Sequence, residues 1–223
     1  ISFSPVLNIL GLTFGIASLI IISCISTGFV DMVNYKLSGI DGHIRIQSYI
    51  SDKIPINKIE EIDSSIKHIS ANVKAISPYI EKHALVRKGP LTEGIILYGV
   101  PESSLENIFN LNQFAAGVSS FIDNQSIIIG KKLAQILNAE VGDNIIIMDV
   151  NKMIKERMLQ ANNLTIVSIF QTDFPEYDRL LAFIPFNTAN AFFDMDNAAS
   201  GLILSIDEPD NVEIVDLQIS ELL

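Results

Sequence analysis

Apolar side chains fill the start of the chain without a single charge from Ile1 to Val30; the first charged residue is Asp31. Within this head, Val6 to Ile25 (VLNILGLTFGIASLIIISCI) carries one strongly polar side chain, Asn8. Wound as an α-helix it would extend about 30 Å, the thickness of a bilayer's hydrocarbon core. A helix also satisfies its own backbone hydrogen bonds in lipid, so the pattern predicts a membrane span. Gly11, Gly15 and Ser18 recur at steps of four and three beside Ala17, a stripe that faces lipid or lets a second helix approach closely. Three other readings compete. A cleaved signal peptide normally shows a basic n-region and an initiator Met, and neither is present. Ile21–Cys24 fits a lipobox, in which Cys24 would be lipidated; otherwise Cys24 is a small apolar residue in lipid. A buried core helix is the third, but an uncharged run of this length favours a span.

The pattern changes after the head. Helical character continues to about Leu37 and breaks at Ser38-Gly39 and Asp41-Gly42. His43–Gln47 alternates as a strand. Ile56, Ile59, Ile62, Ile66 and Ile69 fall at steps of three and four behind Pro55, which predicts an amphipathic helix. Val73–Ser77 reads as a strand ending at Pro78. Tyr79–Arg87 and Gly94–Val100 read as a hairpin around Lys88-Gly89-Pro90. Further strands are expected at Ser126–Gly130, Asn144–Val150, Leu164–Phe170, Leu180–Pro185 and Leu202–Ile206. Helices are expected at Leu105–Phe109, Lys131–Leu137, Thr188–Phe193 and Val212–Leu223. The elements mix without regular βαβ alternation, so the fold class is α+β. The chain stops inside a helix, and a closing strand is expected next.

The 223 residues are 48% apolar, with a net charge of -11 and a mean hydropathy of +0.37. These averages hide an uneven distribution. From position 173 onward there are 11 acidic residues against the single base Arg179, whereas 31–172 is nearly balanced. This balance disfavours long-range attraction to a phosphate backbone, so nucleic acid is not expected as a partner. Cys24 is the only cysteine, which excludes a disulfide scaffold. The abundance of Ile, Leu and Val argues against disorder.

Signs of catalysis are sparse. His43, His68 and His83 have no metal-ligand spacing, and phosphate-binding, nucleophile-elbow and dinucleotide motifs are missing. Neither a catalytic site nor a metal site is expected, and the chain is not read as an enzyme. Asp173, Glu176 and Asp178 cluster around Pro175; without the spacing of a cation loop, a solvated loop is the simpler reading. The segment Asn151–Asn163 (NKMIKERMLQANN) between two strands is more informative. Lys152, Lys155 and Arg157 make it locally basic, and Met153, Ile154, Met158 and Leu159 would be exposed at its tip. It is either an ordinary long hairpin or a protruding contact element for a partner, a role that suits adaptable methionine.

Several segments together resemble one family. Ser26-Thr27-Gly28-Phe29, at the helix exit, resembles the end of the first membrane helix of lipoprotein-releasing (Lol-type) ABC transporter permeases, within the MacB- and FtsX-like superfamily. Gly39–Ile44 is similar to the start of that family's periplasmic domain. Ile127–Lys131, Leu133-Ala134, Leu137 and Val141–Asp143 resemble its next run, and Ile166–Phe170, Glu176–Asp178 and Ala182–Pro185 the block after it. The resemblance implies a MacB-like periplasmic domain, with a porter-like α/β part split by a mostly-β insert. Residues 1–37 would form the membrane helix and its extension, 38–106 and 200–223 the porter-like part, and 107–199 the insert. It implies that Phe29, with Gly11, Gly15 and Ser18, faces lipid or a neighbouring helix. It implies no cofactor for this chain, with ATP bound by a cytoplasmic ATPase subunit. The implied partners are that ATPase, a second permease subunit as homo- or heterodimer, membrane lipid, a lipoprotein substrate and a periplasmic carrier docking at a hook that would fall at Asn151–Asn163. The segment is shorter than the family's hook and lacks its proline. The implied location is the bacterial inner membrane with the large domain in the periplasm. A MacB-like efflux permease, an FtsX-like regulator of cell-wall hydrolases, and a membrane-anchored binding domain without an ATPase are the alternatives.

Overall fold

The computed structural model describes residues 11–28, 42–48, 51–69, 72–114, 120–172, 174–206 and 211–220. The chain forms two units, Ile1–Gly39 and Ile40–Leu223. In the first, helix α1 (Gly11–Gly28) is long and apolar enough to cross a membrane. The expected extension to Leu37, and Phe29 with it, lie outside the described residues.

The second unit is built on strands. In its α/β part, β1 (Ile44–Gln47) pairs antiparallel with β10 (Gly201–Ile206), which pairs antiparallel with the first half of β3 (Val73–Lys88). Helix α2 (Ile56–Ile69) buries Ile59, Ile62 and Ile66, three of the positions set by its three-and-four periodicity. Helix α8 (Val212–Ser220) buries Val215 and Ile219. Both helices share one apolar cluster with Ile44, Ile46, Leu202 and Leu204. A short ladder of β2 (Ile54–Pro55) and β9 (Ala198–Ala199) lies beside α2.

The second half of β3 turns through Gly89 (φ +57) into β4 (Leu91–Val100). Then β4 pairs with β8 (Leu181–Pro185), β8 with β5 (Ser126–Gly130), β5 with β7 (Ala161–Phe170), and β7 with β6 (Asn144–Asp149). Because β6 pairs back onto β3 at Ala84–Arg87, the six strands close on themselves. Closure removes the sheet edges. The barrel is filled by Ala84, Val86, Ile95, Leu97, Ile127, Ile129, Ile145, Ile147, Leu164, Ile166, Ala182 and Ile184. Every residue of β5 and β8 is buried, as expected of strands covered on both faces. Helix α5 (Lys131–Leu137) and helix α7 (Phe186–Phe192) pack into the same core. Outside the barrel, α3 (Glu102–Asn107), α4 (Leu111–Phe114) and α6 (Pro175–Leu180) accompany an aromatic cluster of Tyr79, Tyr98, Phe109, Phe170 and Phe183.

Two expectations change. Strand β3 does not end at Pro78. The Tyr79 carbonyl accepts a bond from Ser200 N on the β10 side, so the nitrogen of Pro78 faces the opposite edge, where pairing with β4 starts only at Ile80. The helix expected at Leu105–Phe109 begins earlier, where Ser104 N bonds to the Pro101 carbonyl, and has ended before Ile108. The β3–β4 hairpin belongs in sequence to the 38–106 stretch, yet it supplies two of the six barrel strands.

Candidate functional site

The segment after β6 is organised by Asp149. Its carboxylate is buried, and Oδ1 accepts the backbone N–H groups of Asn151 (2.8 Å) and Lys152 (3.2 Å). A π-helical turn follows over Lys152–Glu156, and Arg157 closes it at φ +54. Met158 N returns to the Lys152 carbonyl at 3.2 Å. The protruding tip exposes Ile154 (70%), Leu159 (67%), Met158 (53%) and Met153 (38%), and Lys155 and Arg157 are exposed among them. The result is an apolar knob with a basic rim. Lys152 belongs to its base: only 11% of its side chain is exposed, and Nζ donates to Gln160 Oε1 and pairs with Asp194. Asn162 and Asn163, expected in the loop, are paired in β7 against Ile147 and Ile146.

A second cluster escaped the sequence reading. At the seam between the α/β part and the barrel, Arg45 donates to Glu81 Oε2 (2.7 Å) and to Tyr98 Oη (2.8 Å), and Tyr98 donates to the same Glu81 oxygen (2.9 Å). The guanidinium lies over the rings of Tyr79 and Tyr98, 5.3 and 5.6 Å from their centroids. Gln47 reaches Tyr79 Oη at 2.5 Å across Gly201, where a Cβ would come within 2.3 Å of the Ile46 carbonyl. Arg45, Glu81 and Tyr98 line a cleft of about 380 Å³ with Glu176, Tyr177 and Leu180. The only advance signal was polar residues alternating within otherwise apolar strands.

The acidic cluster around Pro175 is not uniformly solvated. Asp178 is buried; its Oδ1 accepts Thr172 N (2.7 Å) and Thr172 Oγ1 (2.8 Å). Glu176 is exposed, and Asp173 lies outside the described residues. His43 Nδ1 accepts Ile206 N at 3.2 Å, while His83 is exposed on β3. The Gly142-Asp143 turn is a structural clasp. Gly142 N reaches the Ile166 carbonyl (2.7 Å), and Asp143 Oδ2 accepts Lys88 Nζ (2.6 Å) and Glu140 N (2.8 Å). These bonds hold the Asp143 carboxyl below its usual range, the Lys88 bond most of all. Gly11, Gly15 and Ser18 lie along α1 at the expected steps.

A family model described as the MacB-like periplasmic core domain matches residues 6–222. The chain belongs to this family. The chain is 22% identical over 215 residues to the lipoprotein-releasing system transmembrane protein LolC of Neisseria meningitidis serogroup B, covering 94% of this chain and 51% of that protein. It is 23% identical to LolE of Haemophilus influenzae, covering 93% and 51%. The chain thus spans about half the length of the curated relatives it matches. Among solved structures, the extracellular domain of the ABC-type transporter YknZ from Gram-positive bacteria superposes with a TM-score of 0.52 at 15% identity, over 81% of this chain and 90% of that one. The periplasmic region of MacB from Actinobacillus actinomycetemcomitans gives 0.52 at 13%, over 81% and 74%. These likenesses are to the fold of the second unit, the strand-built domain.

Proposed function

We propose that this chain is the first membrane helix and periplasmic domain of a permease subunit in an ABC-type exporter that releases lipoproteins from the inner membrane to a periplasmic carrier. One observation carries the reading: likeness to proteins named for lipoprotein release runs through helix and domain together, over 93–94% of the chain. The physical requirements agree. Each CH₂ of an acyl chain buried in lipid contributes about 0.8 kcal/mol, so extraction needs an energy source, supplied by a cytoplasmic ATPase subunit. Helix α1, with Gly11, Gly15 and Ser18, lines the lipid-facing route together with a second permease subunit, and Phe29 follows it in sequence. The domain carries ATP-driven motion outward, and the Met153–Leu159 knob meets the carrier.

Depletion of the full-length protein is expected to strand lipoproteins in the inner membrane; normal sorting after depletion overturns the reading. Met153→Asp with Met158→Asp is expected to weaken carrier capture at least about tenfold, since apolar anchors at an interface contribute more than about 1 kcal/mol each. The far-UV spectrum should not change. A MacB-like efflux permease is the second reading, favoured by the likeness of the fold to MacB and YknZ. Co-purification separates them: a lipoprotein carrier supports the first, an outer-membrane channel the second.

A further inference from the structure

The loop from Asp194 to Asn197 stands between the knob and the α/β part and is tied to both. Asp194, Asp196 and Asn197 all adopt left-handed backbone angles (φ +48, +55 and +57), which Asp and Asn tolerate better than other side chains with a Cβ. Between them Met195 is fully buried in the barrel core, which pins the loop to the barrel. Asn190 braces it from α7, donating to the Ala198 carbonyl (2.8 Å) and accepting Asn197 N (3.2 Å). From this anchored loop two arms extend. Asp194 pairs with Lys152 at the base of the knob. On the other side Lys53, one residue before β2, donates to the Asp194 carbonyl (2.5 Å) and to Asp196 Oδ2 (3.1 Å), and Ile56 N at the start of α2 donates to the Asn197 carbonyl (3.1 Å).

We propose that Asp194–Asn197 is a positioning joint through which the β2–α2 segment sets the orientation of the knob, with Lys53, Asp194 and Lys152 as its positioning residues. The inference rests on the partner-contact reading of the knob, whose regulation it describes. Lys53 bonds to the loop that holds Lys152, so a shift of β2 reaches the knob through Asp194.

The test is hydrogen–deuterium exchange of residues 150–160 in the full-length permease in lipid nanodiscs, with no lipoprotein or carrier added. Lys53→Met is expected to raise exchange at the knob several-fold with an unchanged melting temperature, and Lys53→Arg to restore it. Asp194→Asn keeps a residue suited to the left-handed backbone and should loosen the knob as Lys152→Met does. Lys53→Met combined with Lys152→Met should exchange no faster than Lys152→Met alone, because both act through the same residue, Lys53 on the Asp194 carbonyl and Lys152 on its carboxylate, and groups sharing a partner are non-additive. Unchanged knob exchange in Lys53→Met, or fully additive effects, overturns the joint. The readout needs no partner, so its failure leaves the lipoprotein-release reading standing. Loss of that reading through normal sorting leaves the joint testable.

Discussion

His43 shows how one side chain sets a pH dependence. Its neutral ring accepts the Ile206 N–H, and burial, then nearby Lys74, holds its pKa below the ordinary value of about 6.5. A base with a lowered folded pKa contributes stability that is fully present above the unfolded value and is lost as pH falls through the folded one. The urea midpoint should therefore drop as pH is lowered from 7.5 to 5.5, and His43→Asn, whose Oδ1 can still accept the bond, should flatten that slope. Asp143, held low by Lys88, acts in a separate window: its contribution is present above the ordinary carboxylate value and is lost only as pH falls below it. Gly130 is a steric case. A Cβ there would lie 2.2 Å from the Asp178 carbonyl oxygen and 2.5 Å from its Cα, and backbone cannot step aside as a side-chain tip can. Gly130→Ala should lower stability by about 1–3 kcal/mol, read as a fall in the urea midpoint at unchanged slope. The sequence displayed Gly130 inside the Ile127–Lys131 motif but not its reason, since Asp178 approaches only after the chain has folded across the sheet.

At the scale of elements, legibility followed local chemistry. Lys131–Leu137 was readable to the residue because its periodicity is local, and Asn138 in the left-handed conformation stops it where expected. The amphipathic α2 was legible for the same reason. Strands β3 and β7 were read too short. Pro78 and the Asn162-Asn163 pair look like breakers, and only the partner strands show that their backbones are accommodated. The knob was half legible: its exposed Met and Ile could be read, whereas the inward turn of Lys152 depends on Asp194, 42 positions away. Helix α1 was legible from the absence of charge alone. Ile20→Lys should lower its membrane insertion by about 2.5–3.5 kcal/mol in a glycosylation-mapping assay, whereas Ile20→Leu should leave it unchanged.

Across the whole molecule, strand β3 belongs to both parts of the domain, giving its first half to the α/β sheet and its second to the barrel. The Arg45–Glu81–Tyr98 network clamps the seam where it crosses. A shared strand couples the two parts energetically, so the domain should unfold in one cooperative step. Near-UV circular dichroism of Tyr79 and Tyr98 and far-UV ellipticity should give coincident urea transitions; the chain contains no tryptophan to interfere. Closure of the barrel through β3 and β6 was not readable in advance, because it depends on register between strands distant in sequence. The split α/β architecture was expected only from the resemblance. The chain leaves the α/β sheet at Tyr79 and re-enters it at Gly201, and these two residues are direct partners on adjacent strands. Topologically, then, the barrel occupies the place of a β-turn. An ancestral hairpin could have acquired it, or exchanged it for a different insert, without altering the sheet that carries it.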